Sequence, residues 1–264
     1  MTVPEREKKA VSNQVDGAYY QRHSSVQFDL ANQAVKSLSI GGDESVLDIG
    51  CGDGQVTRQL SQVTRGRVLG IDSSESMIDI AIKNDKNASN LNFQKDSALS
   101  VIKGESFDIA TCFSVLHWIR ETEAFFEAAF QNLKPGGKLL ILTYPADSPY
   151  WVPLNKTIAR LNLQKKTRHG FRTSEEYRHL ANKKGFKSVC FTEITEYARY
   201  KTFEDYRDYV MGWLPLMLQT DPVEETEFWN HLKTCLNDSY PFTDRDYVIP
   251  YKKLTMLMEK SDET

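Results

Sequence analysis

The chain is poor in cysteine, has no long apolar run and lacks an excess of basic charge, and each absence removes a class of protein. Its four cysteines, Cys51, Cys112, Cys190 and Cys235, lie far apart in 264 residues and form no C-x-x-C pair. That spacing speaks against a disulfide-framed secreted domain and against a zinc cage, so reduced thiols in a cytoplasmic compartment and no metal site are expected. No apolar stretch reaches the roughly 18 residues of a membrane helix, and residues 1–14 are polar without a signal-peptide core, so neither a membrane span nor a leader is expected. With 33 Lys and Arg against 36 Asp and Glu, the formal charge is −3, which disfavours a nucleic-acid surface. What is present, 40% hydrophobic and 26% charged residues, suffices to bury one full core carrying an insertion.

The most informative stretch is Val46-Leu47-Asp48-Ile49-Gly50-Cys51-Gly52-Asp53-Gly54-Gln55, an apolar strand with an acid near its end that runs into three glycines at alternate positions. Such a loop turns sharply, lets a ligand lie against bare peptide, and feeds a helix whose free N–H groups face the same place. A dinucleotide fingerprint reads G-x-G-x-x-G, one residue longer between its last two glycines. Asp48 also adds negative charge, which repels a pyrophosphate and favours a cationic ligand.

The motif D-I-G-C-G-D-G resembles the first motif of the class I S-adenosylmethionine-dependent methyltransferases, and further signals follow in the family's order. Val68 to Asp72 is a second strand whose terminal acid lies 24 residues after Asp48, a spacing that suits a carboxylate on two ribose hydroxyls. Leu91 to Lys95 followed by Asp96-Ser97, Phe107 to Phe113, and Leu133 to Leu139 match the later strands and turns. The resemblance implies S-adenosyl-L-methionine as cofactor. It places Asp48, Gly50, Gly52, Asp72, Ser73, Met77, Asp96, Ser97 and Phe113 around the cofactor, with Asp96 toward the adenine amino group. Tyr20-Gln21-Arg22-His23 together with Leu116-His117-Trp118 is similar to a branch that methylates small-molecule carboxylates, including juvenile hormone acid and trans-aconitate methyltransferases. That similarity implies Gln21 and the Trp118 indole N–H holding the acceptor, and Arg22 near a carboxylate of the cofactor or acceptor.

The expected architecture is α/β: a doubly wound, Rossmann-like, seven-stranded and mostly parallel sheet with a helical insertion between its last two strands. Residues 1–16 are expected to be a flexible N-terminus and 17–264 the methyltransferase domain. An amphipathic helix over 17–39 precedes strands near 45–49, 67–71, 91–95, 107–113 and 137–143, with helices near 54–63, 74–83 and 120–132 between them. Residues 144–153, with three prolines, read as a loop over the cofactor. Thr173-Ser174-Glu175-Glu176 reads as a capping box opening a helix to about 184. Strands follow at 186–197 and 248–259. Between them, helices over 202–218, broken early by Pro215, and 223–236 form an aromatic lid at about 200–240, carrying Tyr206, Tyr209, Trp213, Phe228 and Trp229. Those aromatics also suit ordinary core packing. The basic run Lys165 to Arg172 suits a solvated loop as well as an anionic acceptor.

Methyl transfer needs an aligned nucleophile and exclusion of water, with no metal. A carboxylate acceptor arrives ionised, whereas a phenol or polyketide-like acceptor wants a base, for which His117 is the candidate. Three functions therefore stand open: O-methylation of a small organic acid, O- or C-methylation of a phenolic ring, and a cofactor-binding protein without turnover. The partner is expected to be a small molecule, with the chain a monomer or weak homodimer.

Overall fold

The computed structural model describes residues 35, 38, 40–85, 88–164, 170–218, 226–243 and 246–261, side chains 215 and 216 apart. The expected helix over 17–39 lies almost wholly outside the described residues, and with it Tyr20, Gln21, Arg22 and His23. The order is β1 (Val46–Ile49), α1 (Gln55–Val63), β2 (Val68–Asp72), α2 (Glu75–Lys83), β3 (Leu91–Lys95), β4 (Phe107–Phe113), a 3₁₀ turn (Leu116–Trp118), α3 (Thr122–Asn132) and β5 (Leu133–Thr143). A second 3₁₀ turn (Pro149–Trp151), α4 (Val152–Arg160), α5 (Ser174–Lys183), β6 (Phe186–Tyr200), α6 (Phe203–Met211), α7 (Leu214–Met217), α8 (Thr226–Ser239) and β7 (Tyr247–Lys260) complete it.

The seven strands form one sheet in the order β3-β2-β1-β4-β5-β7-β6. The β1/β2, β1/β4, β2/β3 and β4/β5 pairs are parallel, while β7 runs antiparallel to both β5 and β6. All four residues of β1 are buried, as a central strand covered on both faces requires. Alternation along the strands splits the core. Leu47, Ile49, Leu69, Ile71, Leu139 and Ile141 pack toward Phe125, Phe126 and Tyr177, whereas Val46, Val68, Leu91, Ile109, Leu140 and Leu142 pack toward Leu60. Strand order reverses between β1 and β4, and in open sheets of this kind the crevice at the carboxyl ends there is where ligands bind.

The α5 capping box is formed, with the Thr173 hydroxyl accepting from the Glu176 N–H and the Glu176 carboxylate accepting from the Thr173 N–H. An equivalent box, Thr202 with Asp205, opens α6. Two expectations shift. The strand expected from 137 begins at Leu133, and the loop expected over 144–153 turns helical at Pro149 and becomes α4 at Val152. Pro153 near the start of α4, then Leu154, Thr157 and Ile158 buried on one face, form an amphipathic helical pattern that the prolines before it obscure. The insertion builds its own core: Phe203, Tyr206, Val210, Phe228, Leu232 and Leu236 cluster with Tyr150, Trp151, Leu154 and Ile158.

Candidate cofactor and acceptor site

The loop after β1 is held by backbone contacts to β2. Gly50 and Cys51 N–H groups both donate to the Ile71 carbonyl, at 2.7 and 3.0 Å, and the Gly52 N–H donates to Asp72 Oδ2 at 3.0 Å. Gly50 has φ +75, and a Cβ there would lie 2.3 Å from the Val115 side chain, so glycine is required both by conformation and by space. At Gly52, with φ +55, a Cβ would meet nothing within 4 Å. Among the described residues, the outer side of the loop is therefore open for a ligand to lie against the peptide.

Asp72 closes the opposite side. Its Oδ1 accepts from the Ser74 N–H at 2.8 Å, and each carboxylate oxygen keeps a further lone pair for a diol. Burial pushes its carboxyl above the usual carboxylate range, while the Gly52 and Ser74 N–H groups pull it back. Ser74 caps α2 by accepting from the Met77 N–H at 3.4 Å, which buries Met77 and leaves Ser73 exposed. The Asp96 N–H donates to the Asp72 carbonyl at 3.0 Å. Asp96 Oδ1 accepts from the Ser97 N–H at 2.7 Å and from the Ser100 hydroxyl. Thus the ends of β1, β2 and β3 present one continuous polar rim.

Asp48 is placed differently from an anion exposed in the crevice. It is 2% exposed, with Oδ2 accepting from Thr57 Oγ1 at 2.6 Å and Oδ1 from Thr111 Oγ1 at 2.7 Å. Burial raises its carboxyl against those two hydrogen bonds. The carboxylate therefore ties α1 and β4 together beneath the glycine loop. Thr57 and Thr111 carry no spacing signal that would have marked them.

Past β4 the chain enters an aromatic wall. Phe113 is half-buried at the strand end, and His117 is 3% exposed. His117 Nδ1 pairs with Thr143 Oγ1 at 3.0 Å, and its ring lies 4.9, 5.4 and 5.6 Å from those of Trp118, Tyr144 and Phe171. Phe171 continues the wall to Trp151 at 4.9 Å, and Trp151 continues it to Trp213 of the insertion at 5.5 Å. The Trp151 indole donates to the Pro145 carbonyl at 3.0 Å. Tyr144, Trp151 and Phe171 were not marked by any motif. Among the described residues no cluster of three metal-ligating side chains occurs, and no helix is long and apolar enough to cross a membrane.

An open glycine loop, a carboxylate with spare lone pairs at the end of β2, and the 3-2-1-4-5-7-6 sheet define a nucleoside-cofactor enzyme of the class I methyltransferase fold. Residues 20–190, more than half of the chain, match the family model described as "Methyltransferase domain". The chain belongs to the S-adenosylmethionine-dependent methyltransferases and is an enzyme of that family, with S-adenosylmethionine as its methyl donor. It is 25% identical over 235 residues to the putative methyltransferase 235L of Invertebrate iridescent virus 6, covering 84% of each chain. It is 29% identical over 130 residues to the malonyl-[acyl-carrier protein] O-methyltransferase of Bacillus cereus, covering 47% of this chain and 48% of that one. The crystal structure of the YcgJ protein from Bacillus subtilis superposes with a TM-score of 0.66 at 18% identity, covering 88% of this chain and 97% of that one.

Proposed function

We propose that the enzyme transfers the methyl group to the carboxylate oxygen of a small organic acid. The observation that carries this reading is the state of His117. Among the described residues, the histidine next to the crevice, His117, is buried and tied by Nδ1 to Thr143 within a shell of aromatic rings, an arrangement suited to a packed wall. An acceptor that arrives ionised needs no proton removed. The B. cereus relative is named for O-methylation of a malonyl group, which supports an acid acceptor here.

The bound cofactor supplies a methyl group made electrophilic by the adjacent sulfonium. An acceptor carboxylate would arrive ionised, so the chain would need to remove no proton from it. The chain's work is alignment and exclusion of water. In this reading Asp72 holds the ribose, Asp96 and Ser97 border the adenine, and Gly50 and Gly52 let the cofactor lie on the peptide. Ser73, Met77 and Phe113 line the same pocket, and Asp48 sets the loop from beneath. Trp118 and Gln21 orient the acceptor carboxylate and Arg22 balances a carboxylate, Gln21 and Arg22 being outside the described residues. In this reading the insertion is the lid of the acceptor side.

The test is incubation with S-adenosylmethionine and benzoate, octanoate, malonyl pantetheine or catechol, with S-adenosylhomocysteine release and product mass measured. A methyl ester from at least one acid is expected. Methylation of catechol alone, with a rate limb near pH 6.5 that His117→Ala removes, would transfer the assignment to the phenolic reading.

A further inference from the structure

Ser114 occupies a backbone position that favours glycine. Its φ is +59, inside the left-handed region that residues with a Cβ seldom adopt and that clusters at functional sites. The conformation is locked from both sides. The Ser114 N–H donates to the Leu142 carbonyl at 2.8 Å, and the next side chain, Val115, is wedged against Gly50. The side chain kept at this strained position is a hydroxyl that is buried and makes no hydrogen bond of normal geometry. Buried polar atoms are almost always paired, so one that is not asks for a partner.

Its place in the fold says what kind of partner. Ser114 follows the last residue of β4 and Tyr144 follows the last residue of β5, and those two strands pair in register up to Phe113 and Leu142. That register sets Ser114 level with Thr143, one residue before Tyr144, at the carboxyl edge where Val115 abuts Gly50 and Tyr144 meets His117. The Tyr144 phenol lies beside the Ser114 hydroxyl, whose contact, short of normal hydrogen-bond geometry, pulls the phenol pKa down, while burial, the larger effect, pushes it up, so the phenol stays protonated at neutral pH. The Tyr144 ring is held against His117 at 5.4 Å and Tyr251 at 6.2 Å.

We propose that the Ser114 and Tyr144 hydroxyls form the polar end of the acceptor subsite, donating to the oxygen of the acceptor carboxylate that is not methylated. This rests on the carboxylate reading above and assigns it two further specificity-determining residues. A pair of neutral donors selects an anion over a neutral isostere, because hydrogen bonds to an ionised acceptor are about twice as strong.

The experiment is calorimetric titration of benzoate, octanoate and their neutral amides into protein saturated with S-adenosylhomocysteine. It compares the wild type with Ser114→Gly, Ser114→Ala and Tyr144→Phe, with S-adenosylhomocysteine affinity and Tm recorded for each. Ser114→Gly suits the backbone, so its Tm is expected unchanged or raised. Acid affinity should fall about tenfold in each variant, amide affinity less than about twofold, and cofactor affinity should hold. Acid affinity unchanged in both Ser114 variants, an equal loss for the amides, cofactor affinity lost instead, or no acid bound by the wild type each overturns the proposal. The ester assay is a separate arm. Acids that bind through Ser114 without being esterified sink the proposed function alone, and acids esterified equally well by Ser114→Gly sink this subsite alone.

Discussion

The glycine loop and the aromatic wall face the same crevice but are built by different physics. On the loop side, backbone N–H groups and strand-end carboxylates make the contacts, and Gly50, Gly52, Asp72 and Asp96 are placed by hydrogen bonds between neighbouring strands. On the wall side, Trp118, Tyr144, Trp151 and Phe171 are placed by ring packing across segments far apart in the chain. The first surface is made of backbone groups and strand-end carboxylates at fixed positions, so its geometry tolerates little change of spacing. The second is made of interchangeable apolar volume, which suits the acceptor side proposed above. A common methyl donor and a variable acceptor fit those two halves.

The contrast is tested most severely at Gly50. Gly50→Ala forces a Cβ against Val115 at 2.3 Å with φ +75, and a destabilisation of about 3 kcal/mol or more, with cofactor binding lost, is expected in urea unfolding and calorimetry. Asp72→Ala removes the carboxylate proposed to hold the ribose and frees the Gly52 and Ser74 N–H groups, so S-adenosylhomocysteine affinity should fall about ten- to hundredfold, or about 1.5–3 kcal/mol. Unchanged affinity would remove Asp72 from the ribose.

On the wall, Trp118→Phe and Gln21→Ala should slow methylation about tenfold or more while cofactor affinity stays nearly constant, because misalignment affects turnover alone. Loss of cofactor binding with turnover spared would show that the two halves are not separable. His117→Ala should keep its rate within about tenfold of the parent, against the roughly 10²–10⁴ expected for an acid–base catalyst, with a flat profile from about pH 6 to 8.

The smallest effect belongs to Asp48. Its folded-state pKa is raised above the ordinary value of 3.8 by burial, so the folded state binds the proton more tightly than the unfolded one. Its contribution to stability is therefore fully present below about the ordinary value and is lost as pH rises through the raised one. Asp48→Asn should remove that slope from a plot of Tm against pH while changing stability at pH 7 by no more than about 1 kcal/mol. A steeper slope in the variant would mean that the paired Thr57 and Thr111 hydroxyls outweigh desolvation.

The loop half was legible because its signals are local. Glycines at fixed steps and an acid 24 residues on mark a strand, turn and helix without knowledge of the rest. The β6 and β7 strands and the helices between them were legible as elements for the same reason. The placement of Asp48 was not, since its partners Thr57 and Thr111 sit 9 and 63 residues away and nothing local marks a hydroxyl for that task. Nor was the wall. Phe171 meets Trp151 only because the segment at Gly170 passes so close to Ile119 that a Cβ there would lie 1.6 Å from its carbonyl oxygen, a long-range fit invisible in residue type. The stretch from Ser114 to Trp118 after the fourth strand was legible as facing the crevice, but the positive φ of Ser114 was not, because a left-handed backbone at a non-glycine residue leaves no trace in residue type.

The last two strands pair from Phe186 with Lys260 to Tyr200 with Tyr247, so residues 200 and 247 stand opposite each other and everything between them is an excursion from a hairpin whose stem is already zipped. Lengthening such an excursion is thermodynamically mild, each doubling adding only about 0.6 kcal/mol of closure entropy. The stem thus works as a socket. Segments of other length and composition can be grafted into it while the donor-binding loop, anchored on the far side of the sheet, goes on unaltered. With the insertion as the proposed acceptor lid, exchanging it would change what is methylated and leave untouched the loop proposed to hold the methyl donor.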